Sequence, residues 1–391
     1  MPWGLGADMK STKEDRRVWY FPWLFILLAV IFISTHLASC GNKSEPIKIG
    51  FVGPLTGRLS DLGTAGRDGV VLAIEELNRS GGINGRRVVL FTRDDRHDPQ
   101  EALKADKELI REGVAAIIGH MTSAMSIAAY SLINREKVLM ISPTVSTNKL
   151  TGIDDYFIRV TPPNRSETEH LVRFAYDRMG LRKMSVVYDV SNRAYSKGYF
   201  KNFSAEFEKS GGKIALAVPF KSGPDIHFDD LVHTLLQAKP DGLLIVAGAL
   251  DTAMICQHIR MAGSKAPLIS SGWAMTDDLL RHGGHAVEGI LFSHLINTGS
   301  TRPSYLKFKA DFRRRFGREP DFGAINAYDA AQVLFKALKK NGSSADSLKS
   351  NILKQKIFHG LQGDLHIDKY GDPQRKRFLI TVKKGHFESM E

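Results

Sequence analysis

The side chains with the reactivity for chemistry are few in this chain, and their spacing argues against catalysis. Cys256 lies inside the apolar-periodic run Ala253-Met254-Ile255-Cys256-Gln257-His258-Ile259. A thiol so placed behaves as a small buried hydrophobe, and nothing local positions the paired histidine that a nucleophile would need. His282 and His285 bracket two glycines in a loop, too weak a pattern for a metal site. Gly63-Thr64-Ala65-Gly66-Arg67-Asp68-Gly69 follows a strand, yet its spacing is not G-x-G-x-x-G, so its glycines read as turn and close-packing positions. No P-loop, nucleophile elbow or HExxH motif occurs. Neither an enzyme, nor a cofactor, nor a bound metal is expected.

Cys40 is the other cysteine, and its setting differs. A leader holding Lys10, Lys13, Arg16 and Arg17 precedes an almost purely apolar run from Val18 to Ile33, and Leu37-Ala38-Ser39-Cys40 follows. This resembles the bacterial lipobox, in which small residues admit a signal peptidase and the cysteine takes a diacylglycerol. Sixteen apolar residues are short for a membrane span, which would be the alternative reading as an uncleaved anchor. The expectation is a signal peptide over 1–39, lipidation at Cys40, and a polar tether over 40–46. Lipidation leaves one thiol and no disulfide framework.

The formal net charge is +12, and the leader carries four basic against three acidic residues, leaving about +11 for the mature chain. Such a surface favours anions and anionic lipid. The charges are dispersed without a nucleic-acid-binding motif, and Arg313-Arg314-Arg315 falls in an amphipathic helical pattern, so nucleic acid is not an expected partner.

The elements that would position a site come from alternation. From Ile47 strand-like and helix-like segments alternate at lengths that imply βαβ units and parallel sheets, and the rhythm restarts after Tyr156-Phe157-Ile158-Arg159-Val160. With 391 residues, too many for one ordinary core, the pattern predicts two doubly wound α/β lobes joined near residue 160. After helical patterns at Tyr305 to Phe316 and Ala324 to Lys339 the tail is expected to be looser, with late strands at Gly363 to Asp368 and Phe378 to Val382. Open α/β sheets bind ligands where loops leave the carboxyl ends of strands, so facing lobes would place those ends across a cleft.

Several segments, in this order and spacing, carry a family resemblance: Ile49-Gly50-Phe51-Val52-Gly53-Pro54-Leu55-Thr56-Gly57, Asn78-Arg79-Ser80-Gly81-Gly82-Ile83-Asn84-Gly85, Asp94-Asp95-Arg96-His97-Asp98-Pro99, Ile118-Gly119-His120, Ile141-Ser142-Pro143, Tyr195-Ser196-Lys197-Gly198 and Gly284-His285-Ala286-Val287-Glu288-Gly289. From Ile47 to His386 the chain resembles the type I periplasmic binding proteins of the branched-chain amino acid ABC transporter class. The resemblance implies two doubly wound parallel-sheet lobes joined by three hinge crossings, with lobe 1 formed by 47–163 and 296–376 and lobe 2 by 164–295 and 377–391. It also implies an extracytoplasmic substrate-binding lipoprotein, in the periplasm or on the outer face of the cell membrane. Such a protein is a monomer that serves the permease subunits of an ABC importer. Its ligand would be a branched-chain or other amino acid, or a related organic or aromatic acid.

Carried over by position, the resemblance puts the ligand carboxylate at Thr122 and Ser123, where a strand gives way to a helix whose free amides and dipole suit an anion. Val145, Ser146 and Thr147 form its second loop. Read without the resemblance, serines there are helix N-caps. Tyr195 matches the aromatic that covers the ligand, a position otherwise read as core. Trp273 stands in a Gly-bracketed loop, where an indole is costly to expose. Two departures stand out. Where amino acid binders of this class offer an acid to the ligand ammonium, this chain has Gly272, so either another acid, Asp189 or Asp277 first, takes the role or the ligand has no ammonium. The cysteine pair of some members is absent, its places falling on His97 and Thr122. The same fold would also suit a sensor that regulates a partner receptor.

Overall fold

The structure is a computed structural model that describes residues 45–340 and 342–390. The expected signal peptide and the lipidation site Cys40 lie outside the described residues. The first sheet begins with β1 (Ile47–Gly53), in which only Lys48 escapes full burial. It is joined by β2 (Val88–Asp94), β3 (Ala116–Ile118), β4 (Leu139–Ser142) and β5 (Phe157–Arg159), all parallel, in the order β2-β1-β3-β4-β5. Runs such as Leu139-Met140-Ile141, apolar at every position, are what a parallel strand covered by helices on both faces requires.

The second sheet has the same logic with an added edge. β6 (Lys183–Asp189), β7 (Lys213–Phe220), β8 (Gly242–Val246), β9 (Leu268–Ser270) and β10 (Leu291–His294) are parallel, while β14 (Phe378–Lys383) and β15 (His386–Ser389) pair antiparallel beyond β10. Three crossings connect the sheets: after β5, after β10, and into β14. The tail is better ordered than its pattern suggested. A helix at Ala345–Gln355, capped by Ser344, precedes a small antiparallel sheet of β11 (Ile357–Gly360), β12 (Gly363–Ile367) and β13 (Pro373–Gln374). It is tied to the first sheet by the buried Arg159, whose Nε donates to Asp372 at 2.7 Å.

The glycines at 63, 66 and 69 are corrected in one respect. They form no turn: a single helix runs through them from Ser60 to Arg79. Their spacing puts all three on one face, and close packing there outweighs the cost of about 1 kcal/mol per helical glycine. A Cβ at Gly69 would stand 2.2 Å from the Ala324 carbonyl oxygen of helix Phe322–Leu338, and one at Gly63 would overlap the Pro54 carbonyl.

Candidate ligand-binding cleft

The loops at the carboxyl ends of both sheets converge on one cavity. Thr122 is extended and precedes the helix Ser123–Arg135, but its side chain does not cap that helix. Its hydroxyl instead meets His97 Nδ1 at 3.1 Å, so a hydrogen bond joins the two places at which the cysteine pair is missing. The first-turn amides of a helix have no intrahelical acceptor. Here the Ala124 amide donates to Asn192 Oδ1, 3.0 Å away on the second sheet's side, while Thr122 and Ser123 line the cavity beside it.

Behind this loop lies a fully buried charged cluster. His120 Nδ1 is 2.8 Å from Asp95 and its Nε2 is 3.2 Å from Asp106, with no exposure at any of the three. Burial opposes a charge on the ring, yet the two carboxylates outweigh it and raise the His120 pKa to about 9. The Ser142 hydroxyl donates to the His120 carbonyl at 2.9 Å and accepts from the Val145 amide, which couples the two loops mechanically.

Thr122, Ser123, Ser146, Tyr195, Gly272 and Trp273 all line the cavity. Two expected contacts do not. Val145 is fully buried in the core. Thr147 turns its hydroxyl to the Ala194 carbonyl of the second lobe at 2.8 Å, so it clasps the lobes together and does not face the cavity. Further clasps join Arg58 to Asp251 and Thr276 to Asp61, and the loops are held in a closed arrangement. Tyr195 and Trp273 meet edge to face at 5.7 Å and, with Leu62, Met121, Leu295 and Phe322, supply an apolar wall. The cavity measures about 50 Å³. At roughly 10–15 Å³ per water-sized group, that is room for the body of a small molecule and not for a peptide.

Neither acid suggested as a substitute at Gly272 reaches the cavity. Asp189 accepts from the amides of Ser191 and Ser222, and Asp277 borders a separate surface cleft. Among the described residues, the acid that does reach it is Glu167. Its Oε1 accepts the Gly272 amide at 2.8 Å and would lie 3.3 Å from a Cβ at that position, so its carboxylate fills the space beside the glycine. Any side chain at residue 272 would also meet His294 Cδ2 at 2.6 Å. Burial raises the Glu167 pKa, against the opposing pull of Arg377 and the Gly272 amide. Arg377 Nη1 lies 3.5 Å from Glu167 Oε2.

His294 completes the polar end. The Ile296 amide donates to its Nδ1 at 3.2 Å, so the neutral ring carries its proton on Nε2. Burial, with Arg377 and Arg375 nearby, lowers its pKa to about 3. Glu167 had a readable signal: it shares the buried stripe of its helix with Thr168, Leu171 and Val172. Arg377 had none, because it reaches the cavity only through the third crossing.

A periplasmic binding protein family model matches residues 46–386. A leucine-, isoleucine-, valine-, threonine- and alanine-binding protein of Pseudomonas aeruginosa is 25% identical over 364 residues, 93% of this chain and 95% of that protein. Among solved structures, a leucine-binding protein from Thermotoga maritima is 28% identical with a TM-score of 0.82, covering 88% of this chain and 98% of its own. A solute-binding protein of an ABC transporter from Rhodopseudomonas palustris, in complex with 3,4-dihydroxybenzoic acid, is 23% identical with a TM-score of 0.80, covering 88% of this chain and 96% of its own.

Proposed function

Because this chain belongs to the periplasmic binding protein family, whose members are solute binders and not enzymes, we propose that it is the extracytoplasmic substrate-binding component of an ABC importer. It takes up a small carboxylate-bearing ligand between two lobes, 47–163 with 296–376 and 164–295 with 377–391. Cys40 anchors it by lipid to the membrane, and it acts as a monomer that presents its closed form to the permease subunits. The observation that carries this reading is one cavity shared by the N-terminus of helix Ser123–Arg135, Ser146 from the first lobe, and Tyr195 and Trp273 from the second. Helix amides and a hydroxyl stabilise a carboxylate. The aromatic pair covers an apolar body.

Contacts from both lobes also explain why binding would be coupled to closure, since a ligand shifts a two-state equilibrium by its differential affinity for the closed form. The test is a thermal-shift panel of amino acids, 2-oxo acids and aromatic acids, followed by small-angle scattering with the strongest hit. A ligand at a hundred times its Kd stabilises by about 2.7 kcal/mol, a readily measured rise in Tm. Compaction on binding is expected, together with an affinity loss of about fivefold to a hundredfold in Ser123→Pro, which keeps the helix start but deletes the amide donor and the hydroxyl at its first position. Identical scattering with and without a proven ligand would reject closure. The absence of any hit would reject the assignment.

A further inference from the structure

The polar groups that the second lobe turns to the cavity do not make an ammonium site. Resting on the reading of the cleft as a carboxylate binder, we infer that the ligand is a nitrogen-free carboxylic acid whose far end carries a hydroxyl, held between Glu167, Arg377 and His294. Glu167 Oε2 and Arg377 Nη1 stand 3.5 Å apart, close enough for an ion pair but too far for a good hydrogen bond. The guanidinium Nε donates to Ser166 Oγ at 3.0 Å. Its Nη2 is buried with no hydrogen-bond partner among the described residues, on a side chain only 7% exposed that lines the cavity. His294 contributes a ring N–H donor at Nε2.

Each alternative group conflicts with part of this set. A ligand ammonium brought to Glu167 would sit beside the guanidinium, and like charges in a space nearly free of water repel strongly. A second carboxylate brought to Arg377 would meet Glu167 in the same way. A carbonyl could accept from Arg377 or His294 but would leave Glu167 with no donor beyond the Gly272 amide and the Tyr199 hydroxyl. A hydroxyl is neutral, donates once and accepts twice. It can donate to Glu167 while accepting from Arg377 Nη2 or His294 Nε2, which gives the buried nitrogen a partner it otherwise lacks. Gly272 follows from the same arrangement: any side chain there would crowd His294 and Glu167.

Isothermal titration of the full chain decides it, with benzoate, 3- and 4-hydroxybenzoate, 4-methylpentanoate, its hydroxylated derivatives, and leucine as probes. At least one hydroxy acid is expected to bind about tenfold tighter, or more, than its parent acid and than leucine, because a site built for a hydroxyl discriminates against its absence. In the double variant Glu167→Gln/Arg377→Met, which removes both charges at similar volume, that ratio should fall toward one while the parent acid still binds. Should the double variant fail to fold, the wild-type ratios decide alone. Leucine binding tightest, or parent acids matching their hydroxylated forms, overturns the inference and leaves the solute-binding reading standing. If neither these probes nor the wider panel binds, both fall.

Discussion

Raising the pH from 6.5 to 9 should remove a large part of this protein's stability, chiefly through one residue, with a smaller share from the buried Asp321, whose pKa burial raises to about 7. His120 is enclosed by Asp95 and Asp106 without solvent contact. Its pKa in the folded protein is about 9, against about 6.5 in an unfolded chain. Between those values the folded state holds a proton that the unfolded state has released, so stability is fully present below pH 6.5 and lost as pH rises toward 9. At about 1.4 kcal/mol per tenfold change in proton affinity, the whole effect is roughly 3 kcal/mol. Some 2 kcal/mol of it should be gone by pH 8.5, where Cys256, half ionised in the unfolded chain and held protonated by burial in the folded one, adds only about 0.4 kcal/mol to the loss. The other perturbed histidines act on the opposite side. Burial lowers the pKa of His97 and of His294, so their contributions are lost only as pH falls below about 6.5. Urea denaturation at pH 6.5, 7.5 and 8.5 measures the slope, and the His120 ring signals in NMR give its midpoint directly. A ring that titrates near or below 6.5, or stability that stays flat across this range, would refute the charged cluster. The cluster underlies both ligand loops, so ligand affinity should decline over the same window.

Gly69→Ala is expected to cost about 1–3 kcal/mol in chemical denaturation, because its Cβ falls 2.2 Å from the Ala324 carbonyl. Gly198→Ala, with nothing nearer than 3.9 Å within the helix Arg193–Lys209, should instead stabilise by up to about 1 kcal/mol. Thr147→Val removes a bond from the closed lobes without touching the cavity. It should weaken ligand binding by roughly threefold to tenfold, seen as a lower closed fraction in scattering and a higher Kd in titration. Cys40→Ala should abolish both palmitate labelling and membrane partitioning, and unlabelled wild-type chain would refute the anchor.

Much of the fold was legible because local signals and tertiary needs agree in the strands and most helices. Continuous apolar runs between helical periods can be satisfied only by parallel strands covered on both faces, as at Leu139–Ser142 and Gly242–Val246. The glycine-bearing helix at Ser60 broke that agreement, since two of its three glycines answer to Met121 and Ala324, residues remote in sequence, and the third to the Pro54 carbonyl of the preceding loop. Of the small sheet only β12 was read; β11, β13 and the helix at Ala345–Gln355 went unread because their burial depends on contacts across the first lobe.

The alternating elements, the two-lobed architecture and the loops that follow strands at Thr122 and Gly272 could be read from the chain alone. Each of these depends on periodicity or motif spacing within a short window. What faces the ligand depends on contacts between distant segments. Thr147 looks outward to the other lobe because Ala194 offers it an acceptor there. The acid beside Gly272 comes from residue 167 and its counter-ion from residue 377, brought together by the first and third crossings. A pairing between residues 210 positions apart has no local signature. It exists only because folding excludes water from both charges at once and leaves each beside an opposite charge.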